Sequence, residues 1–155
     1  MLWKKQSRKE SLIQKMNKYT SLFRSVTTVE ESKDLIMQLE ELSGSLFSKK
    51  SKDVFDNLQL SIKNEVEIAI KEQDAEITDA TKLQELLNSM IEYIQGLSVL
   101  SLTLAVSPTS KQLHEMSDWL ERSTGKKILL NIMVDHTVIA GAKIQYNGVY
   151  KNYSL

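Results

Sequence analysis

Residues 99–106 read VLSLTLAV, and the hydrophobic period of the chain changes within them. Leu100, Leu102, Leu104 and Val106 alternate with Val99, Ser101, Thr103 and Ala105, a period of two that predicts a strand. Pro108, the chain's single proline, stops it. Upstream the period is helical. Leu12, Met16, Tyr19, Phe23 and Val26 fall on one helix face. Leu35, Leu39, Leu42 and Leu46 do the same, behind Thr28 as N-cap and Glu31 as its capping-box partner. A third helix is expected from about Lys52, with Val54, Leu58, Ile62, Val66, Ala69 and Ile70 inward, and "QDAEITD" breaks it. A fourth carries Leu83, Leu86, Leu87, Met90, Ile91 and Ile94.

Downstream, Thr109 or Ser110 can cap a helix whose apolar face is Leu113, Met116 and Leu120, with Gly125 as its C-cap. "KILLNIMV" is a second strand with Ile128, Leu130, Ile132 and Val134 on one side. "AKIQYNGVY" is a third, turning at Asn147-Gly148, the strongest short hairpin signal. The chain is thus read as mainly α with a small α+β C-terminal unit. A helical bundle or set of helical hairpins over residues 1–95 precedes a strand–helix–strand–strand unit over 96–155.

Composition narrows the function classes. With 41% apolar and 26% charged residues, the 155-residue chain is a globular protein able to bury a modest core. It has no cysteine, which removes disulfides, thiolate zinc sites and cysteine nucleophiles. No apolar run reaches the roughly 18 residues of a membrane span. The formal charge is zero but unevenly spread. Residues 1–27 carry seven Lys and Arg against Glu10 alone, whereas 28–95 carry seven basic and fifteen acidic side chains. Such asymmetry points to contacts made through different faces. The basic, acid-poor start has features of an organellar transit peptide, but it is lysine-rich and reads better as an ordinary first helix.

Tests for chemistry return negatives. "STGKK" has Gly125-Lys126, but Leu120 and Lys127 stand where a phosphate-binding loop needs glycine and a hydroxyl. A helix C-cap followed by solvated lysines is the better reading. His114 and Asp118, four apart on a helix, could share a metal only if His136 joined them, and a solvent-facing histidine is expected instead. Asp135 and His136 are adjacent on extended chain, so their side chains diverge. No nucleophile is positioned for them. Catalytic, cofactor and metal residues are therefore assigned to none. Amphipathic helices beside a small sheet, with no convergent polar cluster, read as an adaptor.

The order of pieces from residue 98 onward resembles a known family, the delta subunit of F-type ATP synthase, called the oligomycin-sensitivity-conferring protein in mitochondria. The carriers are "LSLTLAVSP", the helix ending at "TGKK", the strand "ILLNIMV", the signature "DHTVIAG" and the closing "NYSL". Asp135, Thr137, Val138, Ile139 and Gly141 fit the signature, while His136 stands for a proline and Ala140 for a first glycine. Asn152 and Ser154 take the places of a closing aspartate and serine.

The resemblance implies a non-catalytic stator subunit. It would link the catalytic head, through alpha subunits, to the stalk b subunits and support coupling of proton transport to ATP synthesis. It also implies a peripheral position on the cytoplasmic side of the inner or plasma membrane, with no cofactor, no membrane span and no nucleic acid among its partners. The family's early Tyr-Ala and its Leu-x-x-Asn-Pro turn are missing from the helical part, so no alpha-contact residues carry over. Leu12, Met16, Tyr19 and Phe23 are the candidate partner-helix contacts on pattern alone. The alternatives are a nucleic-acid-binding helical protein using the basic first helix, or a stalk subunit of another rotary ATPase type.

Overall fold

The computed structural model describes residues 23–48, 56, 63–64, 66–68, 71 and 80–154. They divide into two compact units. One joins Val26–Asp34 to the C-terminal part from Gly96. The other takes Leu35–Gln95 and the described residues before Val26. The chain is mainly α with a small α+β C-terminal unit, as the switch in hydrophobic period predicts.

Helix α1, Val29–Ser45, starts where its capping box places it. Thr28 Oγ1 accepts from the Glu31 amide at 3.2 Å, and the Thr28 amide donates back to Glu31 Oε2 at 3.0 Å. Leu35, Leu39 and Leu42 are buried at helical spacing. Leu46 lies one residue beyond the helix and is only half-buried. Helix α2, Ala80–Gln95, buries all six residues of its predicted stripe, Leu83 through Ile94. Each such side chain contributes roughly 1.5–3 kcal/mol of apolar burial. Phe23 is buried and stacks on Tyr93, with ring centroids 5.9 Å apart. Among the described residues between α1 and α2, Val66 is helical and fully buried. The rest of that third helix's stripe (Val54, Leu58, Ile62, Ala69, Ile70) lies outside the described residues, as do Leu12, Met16 and Tyr19.

The C-terminal unit is a four-stranded mixed sheet with a crossover helix. Strands β1 (Ser98–Leu104), β2 (Ile128–Val134), β3 (Ala142–Tyr146) and β4 (Val149–Asn152) lie in the order β2-β1-β3-β4. β1 pairs parallel with β2 and antiparallel with β3, and β3 pairs antiparallel with β4. A parallel pair needs a long crossover, supplied here by helix α3, Ser110–Thr124. Register and strand alternation put Leu100, Leu130 and Tyr146 in one row of one face, with Leu102, Ile132 and Ile144 in the next. Leu113 of α3 borders a cleft with Leu130, Ile132 and Val134, so α3 covers this apolar face. The opposite face mixes Ser101, Thr103, Asn131, Lys143 and Gln145 with Val99, Met133 and a buried Leu129, and there Asn131 Nδ2 donates to Ser101 Oγ at 3.2 Å.

Local chemistry sets the ends of these elements. Thr109 caps α3 in a reciprocal box with Gln112, and Gly125 closes it in the left-handed conformation, its amide donating to Glu121 O. Asn147 and Gly148 both take positive φ, 48° and 77°, as a two-residue type I′ hairpin requires. One expectation is corrected just past the C-cap. Lys126 is exposed, but Lys127 is buried rather than solvated. Its Nζ donates to Ser117 Oγ, itself buried, so the ammonium stays hydrogen-bonded beneath α3 while its stem packs.

Candidate functional site

The signature loop between β2 and β3 is built on Asp135. Its amide donates to Leu104 O at 2.9 Å, which ties the end of β2 to the end of β1. Its Oδ1 accepts from the Thr137 amide at 2.9 Å and from the Thr137 hydroxyl. Its Oδ2 takes the Lys143 ammonium at 3.3 Å. The Thr137 hydroxyl, the Thr137 amide and then Lys143 hold the carboxyl below the usual aspartate range, so it is an anion here. The turn it makes directs Val138 into the core, while the next residue, Ile139, is 85% exposed.

A second turn of the same kind closes the chain. Asn152 Oδ1 accepts from both the amide and the hydroxyl of Ser154. Gly141 brings the two turns together. Its φ is +86°, and a Cβ there would run into the Tyr153 carbonyl oxygen, with the Tyr153 carbonyl carbon at 2.9 Å and Ser154 Cα at 3.2 Å. Tyr153 N donates to Ala142 O at 2.8 Å beside it. The positions that resemble the family signature thus meet in space as a clasp between the 135–141 loop and residues 152–154. Asp135 with Thr137 and Lys143, and Asn152 with Ser154, engage one another within it.

Next to the clasp lies an apolar concavity. Leu104, Val106, Pro108, Met116, Trp119 and Gly141 line most of a groove of about 610 Å³, with Gln112 and Glu115 on its rim. Trp119 is 60% exposed and Val106 is 71% exposed. Large apolar and aromatic side chains held open to solvent in a concavity are the composition of a protein-contact surface. Sequence reasoning passed over Trp119 because it lies off the Leu113–Met116–Leu120 stripe. The available signal was its spacing, three residues after Met116, which widens the apolar face toward the end of β1.

The residues considered for chemistry do not assemble. His114 is exposed, with Nδ1 2.8 Å from Ser110 O in its own helix. His136, also exposed, lies with Nδ1 3.2 Å from Ala105 O. Among the described residues no three His, Asp or Glu side chains group to hold a metal ion. No described helix is long and apolar enough to cross a membrane. In the helical unit, Phe23 is engaged with Tyr93 inside the unit.

At the mouth of α1, Glu31 Oε2 accepts from the Thr27 amide and hydroxyl, both at 2.8 Å, as well as from Thr28. Partial burial pushes this carboxyl up, but the hydrogen bonds from Thr27 and Thr28 outweigh it and hold the value below the ordinary glutamate range.

Comparison with known proteins places these features. A family profile described as the ATP synthase delta (OSCP) subunit matches residues 4–155, the helical part together with the C-terminal unit. No curated relative matches the chain. The chain therefore belongs to the ATP synthase delta (OSCP) subunit family, whose members are structural peripheral-stalk subunits of F-type ATP synthase and work within a membrane-associated complex.

Proposed function

We propose that this subunit ties the catalytic head to the peripheral stalk without catalysing a reaction of its own. The helical part holds the alpha subunits, and the C-terminal unit takes the end of the stalk b subunits in the groove beside Trp119. Both contacts lie on the cytoplasmic side of the membrane. The observation that carries this reading is the extent of the family match, which runs from residue 4 to 155 and so includes both parts needed to bridge two partners. The groove supports the second contact, because helices commonly dock by laying an apolar stripe into such a cleft. The candidate partner-helix contacts Leu12, Met16 and Tyr19 belong to this proposal through their spacing alone. A stator transmits torque through affinity, which fits the use of Asp135, Thr137, Asn152 and Ser154 in turns rather than in a reactive site.

Deletion of the subunit tests the reading. The expected outcome is loss of proton-driven ATP synthesis with ATP hydrolysis by the head retained. In the assembled complex, site-specific cross-linkers on the full-length chain should join the helical part to alpha subunits and the rim of the groove beside Trp119 to b subunits. Intact coupling in the deletion strain would refute the proposal.

A further inference from the structure

The turn between β3 and β4 sets a carboxamide beside an unencumbered backbone nitrogen. Asn147 and Gly148 form the chain's single Asn-Gly dipeptide, and both are exposed. The ladder closes at Tyr146↔Val149, which leaves the Gly148 amide outside it. Among the described residues neither that amide nor the Asn147 side chain has a hydrogen-bond partner. Nothing lies within 4 Å of the position a Cβ on Gly148 would take, so the nitrogen can be approached freely. Asn88, Asn131 and Asn152 are placed otherwise. Asn88 sits inside α2, whose amides are bonded along the helix. Asn131 sits inside β2, and its Nδ2 donates to Ser101 Oγ. Asn152 Oδ1 is held by the amide and hydroxyl of Ser154, and the amide that follows it, Tyr153 N, donates to Ala142 O at 2.8 Å.

We propose that Asn147 is a site of spontaneous deamidation, whose isoaspartyl product unpairs β4 and opens the clasp. The Gly148 nitrogen gives its proton to solvent base and attacks Asn147 Cγ. The new N–C bond closes a succinimide ring, and the side-chain nitrogen leaves as ammonia. Water then opens the ring at one of its two carbonyls. Cleavage of the Cγ–N bond restores an ordinary backbone with aspartate at 147. Cleavage at the original backbone carbonyl leaves the main chain running through Cβ and Cγ, one methylene longer. Asp-Gly is itself a favoured type I′ pair, so the aspartyl form keeps the hairpin. A two-residue turn fixes the register of its strands, and the longer main chain displaces the Tyr146↔Val149 closing pair. β4 has four residues and lies at the sheet edge, paired with β3 alone. The Tyr153–Ala142 bond and the Asn152–Ser154 turn of the clasp follow directly from it. The inference rests on this hairpin and stands whether or not the stator reading does.

Peptide mapping by mass spectrometry, on the full-length chain aged at mildly alkaline pH, tests the chemistry. Three hydrogen bonds must be released before Asn152 can react, each worth roughly fivefold in rate, so Asn147 should deamidate about a hundredfold faster than Asn152. Loss of the amide at Asn147 no faster than at Asn152 would overturn the assignment. Residue-resolved hydrogen exchange on the same aged sample tests the consequence. The fraction of molecules that lose protection at the Tyr153 amide should equal the isoaspartyl fraction found in the map, while Asn147→Asp keeps that protection. Isoaspartyl molecules in which Tyr153 stays protected would refute the opening of the clasp. Loss of protection in Asn147→Asp would refute it too, by tracing the effect to the new charge instead of the longer main chain.

Discussion

Three glycines of the C-terminal unit take positive φ, and only one of them has something in the way. Gly125 (φ +69°) and Gly148 (φ +77°) face open space, whereas Gly141 (φ +86°) faces the Tyr153 carbonyl and Ser154 Cα. Alanine at position 125 or 148 should cost only the left-handed backbone penalty, about 1 kcal/mol. Alanine at 141 carries the same penalty and also a collision with backbone that is pinned. Tyr153 N is bonded to Ala142 O, and the Ser154 amide and hydroxyl are bonded to Asn152. Relieving the collision breaks two or three of these bonds at about 1 kcal/mol each. Gly141→Ala should therefore destabilise by roughly 3–4 kcal/mol in all. Urea unfolding followed by Trp119 fluorescence, in a Trp3→Phe background, reads the unit that holds the clasp. At a typical urea slope of about 1–3 kcal/mol per molar, the midpoint falls by more than about 1 M. Deleting residues 153–155 removes the obstacle, so in that background Gly141→Ala should cost only about 1 kcal/mol. A full-length Gly141→Ala no worse than Gly148→Ala would show that the loop and the C-terminus do not meet as described.

If the stalk b subunits dock in the groove as proposed, Trp119→Ala weakens their binding by about 2 kcal/mol or more, near thirtyfold, as for a central aromatic anchor. Because that side chain is 60% exposed, the unit's own stability should change by less than about 1 kcal/mol. Titration calorimetry beside the urea midpoint separates the two, and unchanged affinity would remove the groove from the interface. Acid sensitivity provides another check. Glu31 is held below its ordinary value in the folded chain, so its contribution is complete above the unfolded value of about 4.3 and is lost as pH falls through the lowered one. Urea midpoints from pH 7 down to 3 should fall less steeply in Glu31→Gln than in the wild type, and parallel curves would show that the carboxylate makes no difference.

Most of the fold was legible because local and global signals agree. The period of two in Leu100–Val106, the Thr109–Gln112 box, Gly125 after α3 and the Asn147-Gly148 turn each name their own structure, and the six-residue stripe of α2 is buried as its spacing requires. The missed features depend on contacts distant in sequence. Nothing in "KKI" says that Lys127 turns inward while Lys126 does not; that follows from Ser117, ten residues earlier, offering a buried hydroxyl. Nothing in "SVTTVEE" announces the bridge from Thr28 to the edge of β2, because its partner Leu130 is about a hundred residues away. Trp119 was overlooked because helical periodicity identifies the buried face and does not mark an aromatic left open beside it.

The signature loop shows why a family pattern can be recognisable without carrying chemistry. Asp135 and Asn152 make the same turn, each with a side-chain oxygen accepting from the amide and hydroxyl of the residue two positions on. Asparagine suffices at 152 because that turn asks only for an acceptor. At 135 the second carboxylate oxygen is also used, by Lys143, so the charge has a partner that an amide would not serve as well. Thr137 and Ser154 follow as the hydroxyls these turns require, and Gly141 as the one residue type that lets the two turns approach. Ile139 takes no part in these turns and is 85% exposed. The hydrogen bonds account for Asp135, Thr137 and Ser154 as architecture, and the close approach of the Tyr153 carbonyl accounts for Gly141, whereas nothing in the structure explains the isoleucine at 139.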